Sequence, residues 1–145
     1  MEAPELIRLN LSSPLEYARA PLVPFSGEFP VGGETGEFLF CFELDREQAA
    51  RIDPDPGAFP GELVFAGKRG GSPGEPASAG KVLLPEGLYA FCQKRRELDR
   101  DECVAMAAEL QKDGLWERLP LGNRLYIRCL FEDGSPVTQF FRPCF

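Results

Sequence analysis

Two runs of this chain decide its fold: KVLLPEGLYAFCQ (Lys81–Gln93) and NRLYIRCLFEDGSPVTQFFRPC (Asn123–Cys144). The first predicts strands at Lys81–Leu84 and Leu88–Gln93, flanking a Pro85-Glu86-Gly87 turn. The second predicts a hairpin, Asn123–Phe131 against Pro136–Arg142, across Glu132-Asp133-Gly134-Ser135, where Asp-Gly is a strong turn signal. Between them a helix is expected from about Arg100 to Lys112. Its inward stripe is Cys103, Met106, Ala107 and Leu110. Asp99 is the expected N-cap, and Glu102 completes an Asp-x-x-Glu capping box. Lys112 would complement the dipole at the far end, and Gly114 would supply a left-handed stop. The small residues Ala105, Ala107 and Ala108 would let this helix lie close to a sheet.

Outward from that unit, the first half is less regular. Pro4–Leu11 reads as a half-buried strand with Ile7, Leu9 and Leu11 on one side and Leu6, Arg8 and Asn10 on the other. Leu15–Phe25, closed by Pro21 and Pro24, reads as an edge strand or an extended segment. Gly27–Gly36 is turn-forming. Glu37–Leu44 (EFLFCFEL) is read as a strand for its aromatic content, followed by a short helix over Asp45–Ile52 capped by Asp45; one helix from about Glu34 is the alternative. Asp53–Gly61 stops that element, and Glu62–Lys68 is a short strand. Gly67–Gly80 is a Gly-, Pro- and Ser-rich loop, expected to be mobile. Gly80-Lys81 imitates part of a phosphate-binding loop, but the spacing from Gly74 is wrong and Val82 stands where Ser or Thr is required.

Composition bounds the chemistry. A chain of 145 residues with 43% hydrophobic and 11% aromatic residues can bury a core as one domain. The net charge of −7 argues against nucleic acid, which needs clustered Lys and Arg. There is no histidine, which removes His-based triads, imidazole zinc sites and the commonest general base. The five cysteines have no paired CxxC spacing and sit among apolar neighbours, so buried thiols are expected, with neither metal nor cofactor. No apolar run is long enough to cross a bilayer, and the N-terminus lacks a basic stretch leading into a hydrophobic one. A cytoplasmic protein without a membrane partner is the expectation.

The run LLPEGLYAFCQ, followed by a helix, a Gly stop, a Leu119-Pro120 loop, the Tyr-bearing strand RLYIRCLF and a last strand ending in Arg-Pro, resembles the second half of the GyrI-like (gyrase-inhibitor-like) small-molecule-binding domain. The Pro-x-Gly-x-Tyr-Ala turn is the most specific element, and the match covers residues 81–143. The resemblance implies an α+β domain spanning 1–145, with antiparallel sheet built from a degenerate duplicated β-α-β-β unit. The halves would be residues 5–68 and 81–143, joined by the loop 67–80, with a ligand cleft between them. It implies a standalone protein binding a small, partly aromatic molecule. The alternative is an interaction module that restrains a protein partner such as a toxin or topoisomerase; a small hydrolase is the weakest reading. Family members that bind cationic drugs carry an acidic residue beside the tyrosine of the penultimate strand. Here Tyr126 is flanked by Arg124, Leu125, Ile127 and Arg128, which turns the expectation toward an anionic ligand.

Period-two alternation places Arg124, Tyr126 and Arg128 on one strand face and Leu125, Ile127, Cys129 and Phe131 on the other. Guanidinium groups beside a ring suit a carboxylate, phosphate or planar ligand, although long charged side chains more often face solvent. Tyr89 and Phe91 share a face and suit either a pocket wall or plain core. Trp116 suits a ligand platform or a plug over the helix end, and Phe140 and Phe141 divide between core and cleft. The candidate ligand-binding set is therefore Tyr89, Phe91, Trp116, Arg124, Tyr126, Arg128 and Phe140, with no catalytic residue named.

Overall fold

A computed structural model describes residues 7–20, 37–51, 62–69, 81–96, 100–132 and 135–144. Eight strands and two helices follow in order: β1 (Ile7–Leu11), β2 (Leu15–Ala20), β3 (Glu37–Glu43), α1 (Arg46–Ala49), β4 (Glu62–Arg69), β5 (Lys81–Leu84), β6 (Gly87–Lys94), α2 (Arg100–Trp116), β7 (Arg124–Glu132) and β8 (Ser135–Pro143). The strands form one sheet in the order β1-β6-β8-β7-β3-β4-β2-β5, and every described pairing is antiparallel. The architecture is α+β.

Short connections force this sheet to curl. β5 and β6 stand six places apart in the order, as do β1 and β2. Laid flat, six spacings would cover about 29 Å. Yet only Pro85 and Glu86 join β5 to β6, and such a link reaches about 11 Å. The two ends of the sheet must therefore approach each other. A second observation agrees: a Cβ added at Gly67 in β4 would lie 2.6 Å from Tyr17 Cβ in β2 and 2.7 Å from Val82 Cγ2 in β5, two strands away. Only a residue without a side chain fits at that point of the bend.

Curling divides the apolar residues into two cores. Tyr17, Leu39, Cys41, Phe65, Val82, Leu84, Tyr89, Phe91, Tyr126 and Phe141 fill the inside of the bend. The rings meet edge-on or tilted, with Tyr89–Tyr126 at 6.3 Å, Tyr89–Phe141 at 5.7 Å and Phe91–Phe141 at 5.0 Å between centroids. The outer face carries Phe38, Phe40, Phe42, Ala90, Cys92, Leu125, Ile127, Cys129 and Phe140, packed with Cys103, Met106, Ala107 and Leu110 of α2. EFLFCFE is apolar almost throughout because β3 is buried on both faces: Phe38, Phe40 and Phe42 outward, Leu39 and Cys41 inward.

Several expectations change. The segment 37–49 is strand then short helix, as read, with Asp45 accepting a hydrogen bond from the Glu47 N–H, and not one long helix. However, α1 links the neighbouring strands β3 and β4, whereas α2 crosses from β6 over β8 to β7; α1 is thus not the positional equivalent of α2. β2 is an interior strand between β4 and β5, and the edges are β1 and β5. The reading as an edge rested on Pro21 and Pro24, which lie outside the described residues, as do Asp99, Asp133-Gly134 and most of the 67–80 loop. β4 itself continues to Arg69. The strands around Pro85-Glu86-Gly87 do not pair with each other; β5 joins β2 and β6 joins β1 and β8.

Helix α2 runs a full turn beyond Lys112, through Gly114 to Trp116, with no basic residue in its last turn. Gly114 does not stop it. Its missing side chain admits Leu121, whose Cδ1 would sit 3.0 Å from an added Cβ; the left-handed residue is Arg118, at φ 59°. Ala105 faces solvent and does not assist packing, whereas Ala107 is buried.

Behind the sheet, Arg142 and Gln111 form a buried polar joint. Arg142 donates to Gly122 O at 2.7 Å, Gln111 Oε1 at 2.6 Å and Ala49 O at 3.2 Å, while Gln111 Nε2 donates to Gln48 O and Arg51 O. At the C-terminal end of α1, the negative end of that short helix, the guanidinium thus satisfies the Ala49 carbonyl and the Gln111 amide those of Gln48 and Arg51. Burial lowers the Arg142 pKa to about 10.

Candidate functional site

A cleft of about 650 Å³ opens at one end of the bend. Its walls are the Pro85–Tyr89 turn and strand start, the Leu121–Arg124 segment with Tyr126, the Pro143–Cys144 end of β8, and Glu43 at the end of β3. All lining residues except Glu43 therefore come from the second half of the chain. The wall is held from behind. Gly122 N donates to Pro143 O at 2.7 Å, Leu44 N to Asn123 O at 2.7 Å and Cys144 N to Leu88 O at 2.9 Å, and Arg142 holds Gly122 O. Leu121 is braced on Gly114 of α2.

Tyr89 and Tyr126 form the cleft's floor, their rings buried at the edge of the inner core. The Tyr89 hydroxyl donates to Pro85 O across the turn. Burial raises the pKa of both phenols, and for Tyr126 the Arg124 guanidinium works against that rise. Arg124 in turn sits 3.8 Å from Glu43 Oε1, its register partner on β3. Leu88 lines the opening, with 44% of its surface exposed. Cys144 is partly exposed at the wall, and it is the only free cysteine among the described residues that is not buried.

Of the seven candidate residues, Tyr89, Arg124 and Tyr126 converge on this cleft. Phe91 belongs to the filled inner core against Phe141. Phe140 is fully buried on the outer face under α2, so Phe141 is the ring that faces inward. Trp116 is 79% exposed at the end of α2 and neither lines the cleft nor plugs the helix.

Arg128 faces inward but lies mid-way along β7, away from the cleft, in a polar row. It meets Glu37 at 3.0 Å, the Tyr17 hydroxyl at 2.9 Å and Gln139 Oε1 at 3.0 Å, and Gln139 Nε2 reaches Gln93 Oε1 at 3.0 Å. The Tyr17 hydroxyl donates to Glu37. Burial, with Glu37 beside it, raises the Tyr17 pKa.

The carboxylates lacking beside Tyr126 in its own strand are supplied by the neighbouring one. Glu37 and Glu43 bracket EFLFCFE, and period two puts Glu37, Leu39, Cys41 and Glu43 on one face. That alternation was available in the sequence; the pairing of β3 with β7 was not. Among the described residues no group of three or more Cys, Asp or Glu could hold a metal ion, and no helix is long and apolar enough to cross a membrane. Comparison of the chain with protein-family models, curated proteins and solved structures found no match.

Proposed function

We propose that this chain binds a small, partly aromatic molecule noncovalently in the cleft floored by Tyr89 and Tyr126. The observation that carries the reading is the apolar Leu88 standing half-exposed in an opening of about 650 Å³, a size suited to a drug-sized molecule. A planar ligand would cover Leu88 and Leu121, while the Arg124 guanidinium and the tyrosine hydroxyls offer a few polar contacts. The expectation of an anion rested on two arginines. Arg128 is already matched by Glu37, and the wall carries Glu43 and Glu86 beside Arg124, so a purely anionic ligand loses its support.

A duplicated β-α-β-β architecture of the GyrI-like kind is part of the same proposal. Its support is the strand order, which reads identically when β1–β4 are exchanged with β5–β8. A cytoplasmic location is proposed with it.

A thermal-shift screen of aromatic compounds tests the binding reading. A ligand at about 100 times its dissociation constant adds roughly 2.7 kcal/mol of stability. Leu88→Ser, at an exposed position, should fold normally and lose most of that shift. An undiminished shift in Leu88→Ser would place the ligand elsewhere. A second reading, a protein-interaction module, is favoured by the exposure of Trp116 on α2; loss of partner capture in Trp116→Ala, with small-molecule shifts intact, would select it.

A further inference from the structure

The wall of the cleft holds opposite charges in register, and this narrows the ligand class. Glu43 and Arg124 are directly opposed on β3 and β7, 3.8 Å apart, with side chains 57% and 44% exposed. A pair so long and so wet contributes little and opens at small cost. The strand ends that carry them are nevertheless tied together, because Leu44 N, next to Glu43, donates to Asn123 O, next to Arg124, at 2.7 Å. The cleft therefore offers a cation and an anion at neighbouring positions, in an opening that Leu88 and Leu121 also line.

We infer that the cleft selects a compact aromatic zwitterion, such as an aromatic α-amino acid, over singly charged or neutral analogues. This inference rests on the binding reading above. In an α-amino acid the ammonium and carboxylate hang from one carbon, so the two can exchange with Glu43 and Arg124 to make a closed ring of four alternating charges. The side-chain ring then lies toward Leu88 and Tyr89. A singly charged ligand would satisfy one wall charge only by pulling it from the other.

Calorimetric titration with four compounds sharing one indole ring tests this: tryptophan, tryptamine, indole-3-propionate and indole. Tryptophan should bind about tenfold tighter than either singly charged analogue, the sum of two modest exposed pairs. Glu43→Gln should bring tryptophan down to the level of indole-3-propionate, and Arg124→Gln down to that of tryptamine. Both positions are on the rim, so the variants should melt as the parent does. Equal or tighter binding of tryptamine or indole-3-propionate by the parent, or tryptophan binding unaffected by both substitutions, overturns the inference while leaving the cleft as a site. Failure of all four compounds to bind overturns both.

Discussion

Replacing Gly67 by Ala places one methyl group at the tightest point of the bend. The new Cβ would stand 2.6 Å from Tyr17 Cβ and 2.7 Å from Val82 Cγ2. Tyr17 Cβ moves only with its backbone, so a strand must shift or the sheet must open. Overpacking of this kind costs about 1–3 kcal/mol, and the clash with a fixed atom argues for the upper half of that range. Against it, Ala reduces the freedom of the unfolded chain by about 0.4–1 kcal/mol. The net expectation is a loss of about 2 kcal/mol, or roughly 4–8 °C in melting temperature for a chain of this size. Differential scanning calorimetry with parallel urea melts measures it. Val82→Ala removes one of the two clashing atoms, so the double variant should lose less than the sum of the singles, by at least about 0.5 kcal/mol. A Gly67→Ala protein as stable as the parent, or strict additivity with Val82→Ala, refutes the account of the curled sheet.

Other expectations concern buried polar groups. Arg142→Met leaves Gly122 O, Gln111 Oε1 and Ala49 O without their donor, and should cost about 3–5 kcal/mol in urea unfolding; a loss under 1 kcal/mol would show that water replaces the joint. Burial pushes the thiol of Cys41 up to about 11 and that of Cys92 up to about 12, from an ordinary value near 9. Their unfolded forms ionise first, so stability should be level below pH 9 and fall above it, each thiol shedding about 1.4 kcal/mol per pH unit until its folded pKa. Melting temperatures unchanged from pH 8 to 10.5 would contradict this.

The second half was legible because its signals are local. Alternation in RLYIRC separated Arg124, Tyr126 and Arg128 from Leu125, Ile127 and Cys129, although it favoured solvent for the first set, and the 103–106–107–110 stripe identified the buried face of α2. The Glu132–Ser135 hairpin register follows from loop length alone. What failed is non-local. Nothing in Lys81–Leu84 announces that it pairs with Leu15–Ala18, nor that Ile7–Leu11 pairs with Gly87–Phe91. Without those pairings the curl was invisible, and with it the cleft's position at a strand end. Glu43 was overlooked because its partner Arg124 is some eighty residues away in the chain. Phe140 and Phe141 are chemically identical neighbours, and only the register of β8 against β7 assigns their faces. Helix α2 outran its apparent stop because Leu121, arriving from outside the helix, requires a small residue at Gly114.

Cys144 supplies the most direct test of the cleft. The residue lines the cleft and is the one described cysteine that is not buried. The rate of its labelling by a thiol-reactive probe, located by peptide mass spectrometry, should fall at least several-fold when the tightest-binding indole compound is present at saturation. Labelling of Cys144 at an unchanged rate, while the melting temperature rises with the same compound, would show that the ligand sits elsewhere and that the cleft beside Tyr89 and Tyr126 is not its site.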